Sequence, residues 1–217
     1  MIYHFKQLNN VNMKTKKIYT DKEREEVIVN ASVEYGKFLT ALGFDYKEDP
    51  HMIDTPMRVA KSFVNDLYKS MYSGPPKITA FSNTDKYDGM VFQGNIDVKS
   101  TCSHHALPFV GKAFVAYLPA PDGKVIGLSK LNRVVDYFCR MPQVQENLTE
   151  QISAYLDRTC DGNLGVAVMI QANHQCACLR GIQHDSTMMT SKLTGAFKTD
   201  NATRDEFYKF IGYLDNK

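Results

Sequence analysis

Two short patches of cysteine and histidine carry the chemistry that this sequence can be expected to perform. The first is Cys102-Ser103-His104-His105, and the second, far downstream, is His174-Gln175-Cys176. Thiolate and imidazole ligands together are typical of zinc sites. A site with only three protein ligands leaves a coordination position for water, which is the arrangement of a catalytic metal. The two patches therefore predict a zinc-dependent enzyme with a hydrolytic or ring-opening reaction.

The spacing fixes the metal ligands only in part. Cys102 and His105 can close around one ion from a single turn. The segment 175–182 is predicted to be a strand, and alternation along a strand puts Cys176 and Cys178 on one face, so either cysteine can be the third ligand. A Cys-x-x-His pair alone is more often explained by a core cysteine, but the second patch favours a metal.

The remaining histidines of the two patches are candidate proton carriers. His104 and His174 have no ligand role, and histidine titrates near neutral pH, which suits proton transfer beside a metal-activated water. Cys139 and Cys160 lie in predicted helices without histidine neighbours. We interpret these two cysteines as packing residues.

A basic segment at a strand-to-helix junction, Gly127 to Arg133, predicts an anion site. Ser129 is expected to cap the helix, with Lys130 and Arg133 in its first turn. Cations at this position oppose the helix dipole unless an anion is bound, and helix N-termini bind phosphate. A solvated basic turn explains the segment equally well.

Other side chains could complete a nucleotide site. Arg180, in register with the strand cysteines, suits a bidentate phosphate contact, and Arg58 is a weaker candidate. Glu146, which follows Gln145 at a helix start, offers a carboxylate that matches the N1–H and 2-amino edge of guanine. A glutamate in a first helical turn more often compensates the helix dipole.

The composition excludes several classes of protein. The chain has 217 residues, 43% of them hydrophobic, and a formal net charge of +2. This charge argues against general binding to nucleic acid or membranes, and no apolar run reaches the about 18 residues of a spanning helix. Residues 1–17 lack the apolar core of a secretory signal, and the five cysteines are an odd number. We expect a cytoplasmic protein without disulfides.

The predicted elements indicate an α+β fold. A flexible lead-in (1–19) precedes a helical section (20–72), a loop (73–90) and the catalytic domain (91–217). The first helix starts at a Thr20–Glu23 capping box, and its expected buried stripe is Val27, Ala31, Tyr35, Phe38 and Leu42; a second starts at Thr55-Pro56. Strands are predicted at 91–98, 112–119, 124–128, 165–173 and 175–182, the second and third forming a hairpin, and helices at 129–140, 142–161 and 203–214. This order favours an antiparallel sheet with two helices on one face.

These segments together resemble the GTP cyclohydrolase I family. The matching stretches, which run in order over about residues 20–214, are Asp54–Ala60, Thr101–His105, Pro108–Lys112, Val125–Leu131, Pro142–Thr149, His174–Cys176 and Arg180–Ile182. The resemblance implies the tunnelling fold, an antiparallel sheet backed by two helices. It further implies that several subunits join their sheets into a barrel, that two rings stack as a homodecamer, and that active sites lie at subunit interfaces.

The resemblance also implies a ligand set and a reaction. Zn²⁺ would be held by Cys102, His105 and Cys176. The reaction would be hydrolytic opening of the imidazole ring of GTP, release of formate, and closure to 7,8-dihydroneopterin triphosphate at the start of pterin and folate biosynthesis. His174 would carry a proton to N7 of the base, and His104 would assist.

The implied substrate contacts come from several segments. They are Arg58, Ser129, Lys130, Arg133 and Arg180 for the triphosphate, Glu146 for the guanine, and Gln145 near the ribose. One departure is notable, because the family usually reads Cys-Glu-His-His where this chain has Ser103 as the second residue. A hydroxyl therefore stands where a carboxylate is usual, which could alter the rate, the metal preference or the product.

Two alternatives stay open. A 7-cyano-7-deazaguanine reductase shares the tunnelling fold but uses a nucleophilic cysteine and NADPH, without zinc. The paired Cys/His patches and the basic helix start argue against it. A non-catalytic zinc protein would bind GTP tightly without releasing formate.

Overall fold

The computed structural model describes residues 17–215, which divide into a unit that ends at Gly74 and a unit that begins at Pro75. Residues 1–16 of the predicted lead-in lie outside the described residues, and the predicted domain boundaries stay a prediction. Within the described part of the chain, none of the helices combines the length and the apolar character needed to cross a bilayer.

The first unit is built on two helices. Helix α1 (Asp21–Ala41) begins at the predicted capping box, in which Thr20 and Glu23 bond reciprocally. Helix α2 (Thr55–Ser62) has Pro56 in its first turn, as predicted, and continues as a π-helical turn (Phe63–Leu67) and a 3₁₀ turn (Lys69–Met71). Both predicted helix starts are confirmed.

The predicted buried stripe of α1 is wrong by about one position. The buried residues are Ile28, Ser32, Gly36 and Leu39, whereas Phe38 is 53% exposed. A Cβ at Gly36 would lie 2.5 Å from the hydroxyl oxygen of Tyr46. The packed face therefore uses small residues that admit a close neighbour, and apolarity alone does not reveal them.

The second unit contains a five-stranded sheet in the order β5-β2-β3-β6-β7. Its strands are β2 (Val91–Cys102), β3 (Pro108–Pro119), β5 (Pro142–Gln143), β6 (Asn163–His174) and β7 (Thr187–Leu193). All neighbours are antiparallel except β5, which pairs in parallel with the end of β2. A separate ribbon joins β1 (Ala80–Ser82) to β4 (Lys124–Ile126).

Helices cover both faces of this sheet. Helices α3 (Leu128–Cys139) and α4 (Gln145–Thr159) pack on one face, where the hydroxyls of Thr149 and Thr190 lie 2.7 Å apart. Helices α6 (Gly195–Thr199) and α7 (Asn201–Asp215) cover part of the other face, where Phe197 and Phe207 join Phe114 in one core cluster. The predicted α+β class and the two helices on one face are confirmed. Helix α7 covers the predicted helix 203–214, but α6 and the packing of both helices on the other face were not predicted.

One predicted strand and one predicted strand pairing are wrong. The segment 175–182 is no strand: a short helix, α5 (Gln175–Cys178), is followed by Gly181 at φ 64°. Strand β7, which pairs with β6, comes later and was not predicted. The hairpin of 112–119 with 124–128 does not form either, because β4 pairs with β1 and the amide of Ile126 donates to the side-chain oxygen of Tyr117.

Candidate metal centre and active site

The ends of three strands lie together at one end of the sheet and position the Cys/His patches. Strand β2 ends at Cys102, β3 begins at Pro108, and β6 ends at His174, directly opposite Phe109 of β3. The turn between β2 and β3 is tight, because the amide of Ala106 donates to the carbonyl of Cys102 at 2.9 Å. Residues that are far apart in sequence are therefore adjacent here.

The predicted metal ligands form one group. Ligand atoms of Cys102, His105 and Cys176 all lie within 4.8 Å of one another. In a tetrahedral zinc site the metal bonds are about 2.0–2.3 Å long, so ligand atoms are separated by about 3.3–3.8 Å. Small side-chain movements would close the group around an ion. Two thiols and an imidazole are donors that zinc prefers, so these residues fit it.

The other candidate ligand, Cys178, points elsewhere. Its Sγ lies 3.9 Å from Oδ1 of Asp185. Successive residues of a helix are turned by about 100°, so positions two apart in α5 face nearly opposite directions. The strand alternation that left Cys176 and Cys178 equivalent is absent from this segment.

The surroundings of Cys176 favour its thiol form. Burial raises the pKa of Cys176, and a hydrogen bond with Cys102 raises it further. A metal-bound cysteine is deprotonated, so metal uptake by the Cys176 thiol must release its proton. Metal affinity at this group is therefore linked to pH.

His105 has a second partner that bears on metal binding. Nη1 of Arg180 lies 2.7 Å from Nε2 of His105. Arginine only donates, so this Nε2 carries the lone pair of a neutral imidazole. A metal at Nε2 would take that lone pair, and a metal at Nδ1 would leave the proton on Nε2. Metal ligation by neutral His105 and the Arg180 hydrogen bond therefore exclude each other.

His174 is held beside the group by two contacts. Its ring stacks on Phe109 with centroids 4.5 Å apart and planes inclined by 8°. Its Nε2 lies 2.8 Å from Oε1 of Gln145. Burial lowers the pKa of His174, and the nearby charge of Glu146 opposes this shift. The environment therefore favours a neutral imidazole. His104 is exposed, with Nδ1 3.7 Å from Sγ of Cys102.

Gln145 and Glu146, at the start of α4, differ in their surroundings. Gln145 is only 1% exposed, and its amide nitrogen lies 3.1 Å from the carbonyl oxygen of Ile170 and 3.0 Å from that of Met188. Glu146 is exposed. The buried bonding of Gln145 was missed by sequence reasoning, and only its position three residues before the apolar Leu148 hinted at burial.

Helix α3, which carries the predicted anion residues, begins at the end of the sheet opposite the Cys/His group. Ser129 does not cap α3, because the cap position is Gly127 and no side chain bonds there, so Ser129 lies within the first turn. Ile126, just before α3, bonds to Tyr117. Strands rise about 3.3 Å per residue, which puts Tyr117 about 26 Å along β3 from Phe109. Within one chain, Ser129, Lys130 and Arg133 are therefore not brought to the Cys/His group.

Arg58 belongs to the other unit of the chain. It lies on α2, where its guanidinium pairs with Asp54 at 3.0 Å. Arg180, in contrast, follows α5 in the sheet unit and reaches the metal group directly.

A Cys-His-Cys group with further histidines beside it is the arrangement of a metal-dependent hydrolase. Comparisons with known proteins give the family. The sequence profile of the GTP cyclohydrolase I family matches residues 11–212. The chain belongs to the GTP cyclohydrolase I family, which confirms the resemblance and the expectation of an enzyme of the cyclic amidine hydrolase class.

Curated relatives support this assignment over most of their length. The GTP cyclohydrolase 1 of Aeromonas salmonicida is 45% identical over 172 residues, 78% of this chain and 77% of the relative. That of Flavobacterium johnsoniae is 43% identical over 194 residues, 88% of this chain and 83% of the relative. That of Mycolicibacterium gilvum is 40% identical over 195 residues, 88% and 91% of the two chains.

Proposed function

We propose that this chain binds Zn²⁺ through Cys102, His105 and Cys176 and opens the imidazole ring of GTP, with release of formate and formation of 7,8-dihydroneopterin triphosphate. The observation that carries the proposal is the grouping of the three ligand atoms within 4.8 Å of one another, beside the partly buried, stacked ring of His174. The names of the relatives, all GTP cyclohydrolase 1, support the substrate.

The proposed chemistry divides between metal and side chains. When bound, zinc supplies a Lewis acid that makes water nucleophilic near neutral pH. His174, whose pKa is lowered by partial burial, accepts a proton from the attacking water and passes it to N7 of the base as the ring opens. His104, exposed next to Cys102, assists this transfer.

The proposed substrate contacts come from both ends of the sheet. Glu146 is exposed near His174, where its carboxylate accepts from the guanine edge. Gln145 near the ribose would act through its backbone, because its side chain is buried and bonded within the chain. The triphosphate is bound by the basic and hydroxyl set Arg58, Ser129, Lys130, Arg133 and Arg180.

Because the proposed substrate contacts lie at both ends of the sheet, each site would be shared between copies of the chain. Lys130 and the metal group are too far apart along the sheet for one nucleotide to reach both within one chain. Apart from its short pairing with β5, the outer edge of β2 has no partner strand among the described residues, and neither has that of β7. Open edges pair with other strands. We propose that the sheets of neighbouring copies join into a barrel, as a homodecamer located in the cytoplasm.

Mixed assemblies test the shared site. At GTP concentrations well below KM, chains with His174→Ala should be nearly inactive alone and chains with Lys130→Ala should keep about a tenth of the turnover, because each lacks one half of every site. Refolded together, they should regain activity at roughly a quarter of the sites, since random mixing pairs two intact halves that often. No recovery in assemblies shown by mass to contain both chains would contradict a shared site.

The reaction itself is tested with zinc-loaded protein and GTP, following formate and the ultraviolet spectrum of the product together. Formate with a dihydroneopterin spectrum is expected and would make Ser103 a tolerated change. Formate without the pterin would mean that Ser103 marks an altered later step. GTP bound without either signal would overturn the proposal in favour of a non-catalytic zinc protein.

A further inference from the structure

We infer that Gln145 is a positioning residue that fixes which ring nitrogen of His174 carries the proton. The inference rests on the proposed function in one respect, namely that His174 transfers a proton. It rests otherwise on the buried hydrogen bonds of one amide side chain and on a stacked ring.

The two ends of the Gln145 amide are told apart by their partners. One end faces the main-chain carbonyl oxygens of Ile170, at 3.1 Å, and Met188, at 3.0 Å. Carbonyl oxygens only accept, so the NH₂ group must face them. The opposite orientation would bury oxygen against oxygen in a side chain that is 1% exposed. The amide oxygen is therefore directed at His174.

This orientation decides the tautomer of His174. The amide oxygen lies 2.8 Å from Nε2 of the ring, and an amide oxygen only accepts. Nε2 must therefore carry a hydrogen and donate it. A neutral imidazole has one N–H, so the free lone pair lies on Nδ1. Phe109, stacked 4.5 Å from the ring, limits its tilt. Nδ1 is the nitrogen that exchanges a proton with the substrate.

A glutamine suits this task better than a glutamate. A carboxylate at position 145 would accept from Nε2 equally well, but its second oxygen would face the carbonyls of Ile170 and Met188 without a hydrogen. It would also place a charge where almost no solvent reaches. The neutral amide holds the ring while bonding to both strands beneath it.

The chain offers a matched control at Thr190. Its hydroxyl lies 3.2 Å from the same amide nitrogen of Gln145 and 2.7 Å from the hydroxyl of Thr149. Thr190→Val removes bonds from this buried network but leaves the two carbonyls that orient the amide. A purely structural role of Gln145 predicts similar effects from both substitutions.

The first test is the tautomer in the unaltered chain, read from nitrogen shifts of ¹⁵N-histidine-labelled protein by solid-state NMR, with His174→Ala identifying the signal. We expect hydrogen on Nε2 and none on Nδ1. Hydrogen on Nδ1 would overturn the inference. The tautomer is read in the unaltered chain, and the measurement does not depend on activity.

The second test compares Gln145→Met with Thr190→Val. We expect Gln145→Met to mix the tautomers and to lower kcat about 10- to 100-fold, with KM for GTP and zinc content within about twofold. We expect Thr190→Val to lower Tm but to keep kcat within about twofold. Equal losses of kcat would overturn the inference. If His174→Ala kept full turnover, the proposed proton transfer would fail, while the tautomer result would still stand on the NMR signal.

Discussion

The two ends of the sheet differ in how completely one chain builds them. At the Cys/His end, the three ligand atoms lie within 4.8 Å of one another and His174 has both a stacking and a hydrogen-bonding partner. At the α3 end, Ser129 and Arg133 are exposed, and no carboxylate in the described part of the chain pairs with Lys130 or Arg133. The contrast indicates that a single chain positions the residues proposed for catalysis. The cationic side chains proposed to bind the triphosphate remain available to a group outside that chain.

The largest effect is expected at the metal group. Cys176→Ala should abolish zinc binding and turnover together, because two ligands cannot hold a catalytic ion. Cys178→Ala is the matched control and should keep both, since its thiol contacts Asp185 instead. Metal content by atomic emission and formate release measure the pair. Stoichiometric zinc in the Cys176→Ala protein would refute the ligand assignment.

The next largest effect is expected at His174, where a loss of turnover should occur without a loss of metal. His174→Ala should keep stoichiometric zinc but lose about 100- to 10,000-fold in kcat, which is the usual contribution of general acid–base catalysis. Formate release by zinc-loaded protein gives the rate. Turnover equal to that of the unaltered chain would remove His174 from the proton path.

A smaller effect is expected at Lys130, at the α3 end of the sheet. Lys130→Ala should weaken binding of a triphosphate nucleotide about tenfold, the loss of about 1.4 kcal/mol that a charge-assisted hydrogen bond supplies. Binding of guanosine, which has no phosphate, should change little. Calorimetry with a non-hydrolysable GTP analogue and with guanosine makes the comparison. Equal losses for both ligands would mean that the anion is bound elsewhere.

The smallest effect concerns Arg180, which reaches the metal group. Because its bond to His105 excludes metal ligation by that neutral ring, Arg180→Met should tighten zinc binding by about three- to tenfold. Arg158→Met, which removes the same charge from a side chain that bonds to the carbonyl of Ala154, should leave the affinity unchanged. Competition with a chromophoric chelator measures both. An unchanged affinity in Arg180→Met would show that the contact does not compete.

The sequence predicted helices well because their signals are local. The capping box at Thr20, Pro56 in a first turn, and the apolar periods of α3 and α4 each reflect contacts within a few residues. The strands at 175–182 and the 112–128 hairpin failed, because strand pairing depends on distant partners. Here β6 pairs with β7, and β4 with β1.

The sequence predicted which residue types form the candidate site more fully than it predicted how they are arranged. The Cys/His patches identified Cys102 and His105 but left Cys176 and Cys178 open, and the family resemblance implied Cys176. The helical turn that points the two cysteines apart was not revealed by their spacing. The buried role of Gln145 could not be predicted, because it requires β6 and β7 to present carbonyls side by side. A glutamine in a first helical turn gives no sign of that.

The distance between the ends of the sheet also bears on how much of the protein a cell must make. If each site takes one half from each of two neighbours, isolated chains contribute nothing, and activity rises more steeply than protein concentration until assembly is complete. Dilution of the purified protein should then lower the specific activity, and reconcentration should restore it. The rate of product formation would then depend on the chain reaching a threshold concentration, and would not simply be proportional to the amount of chain synthesised.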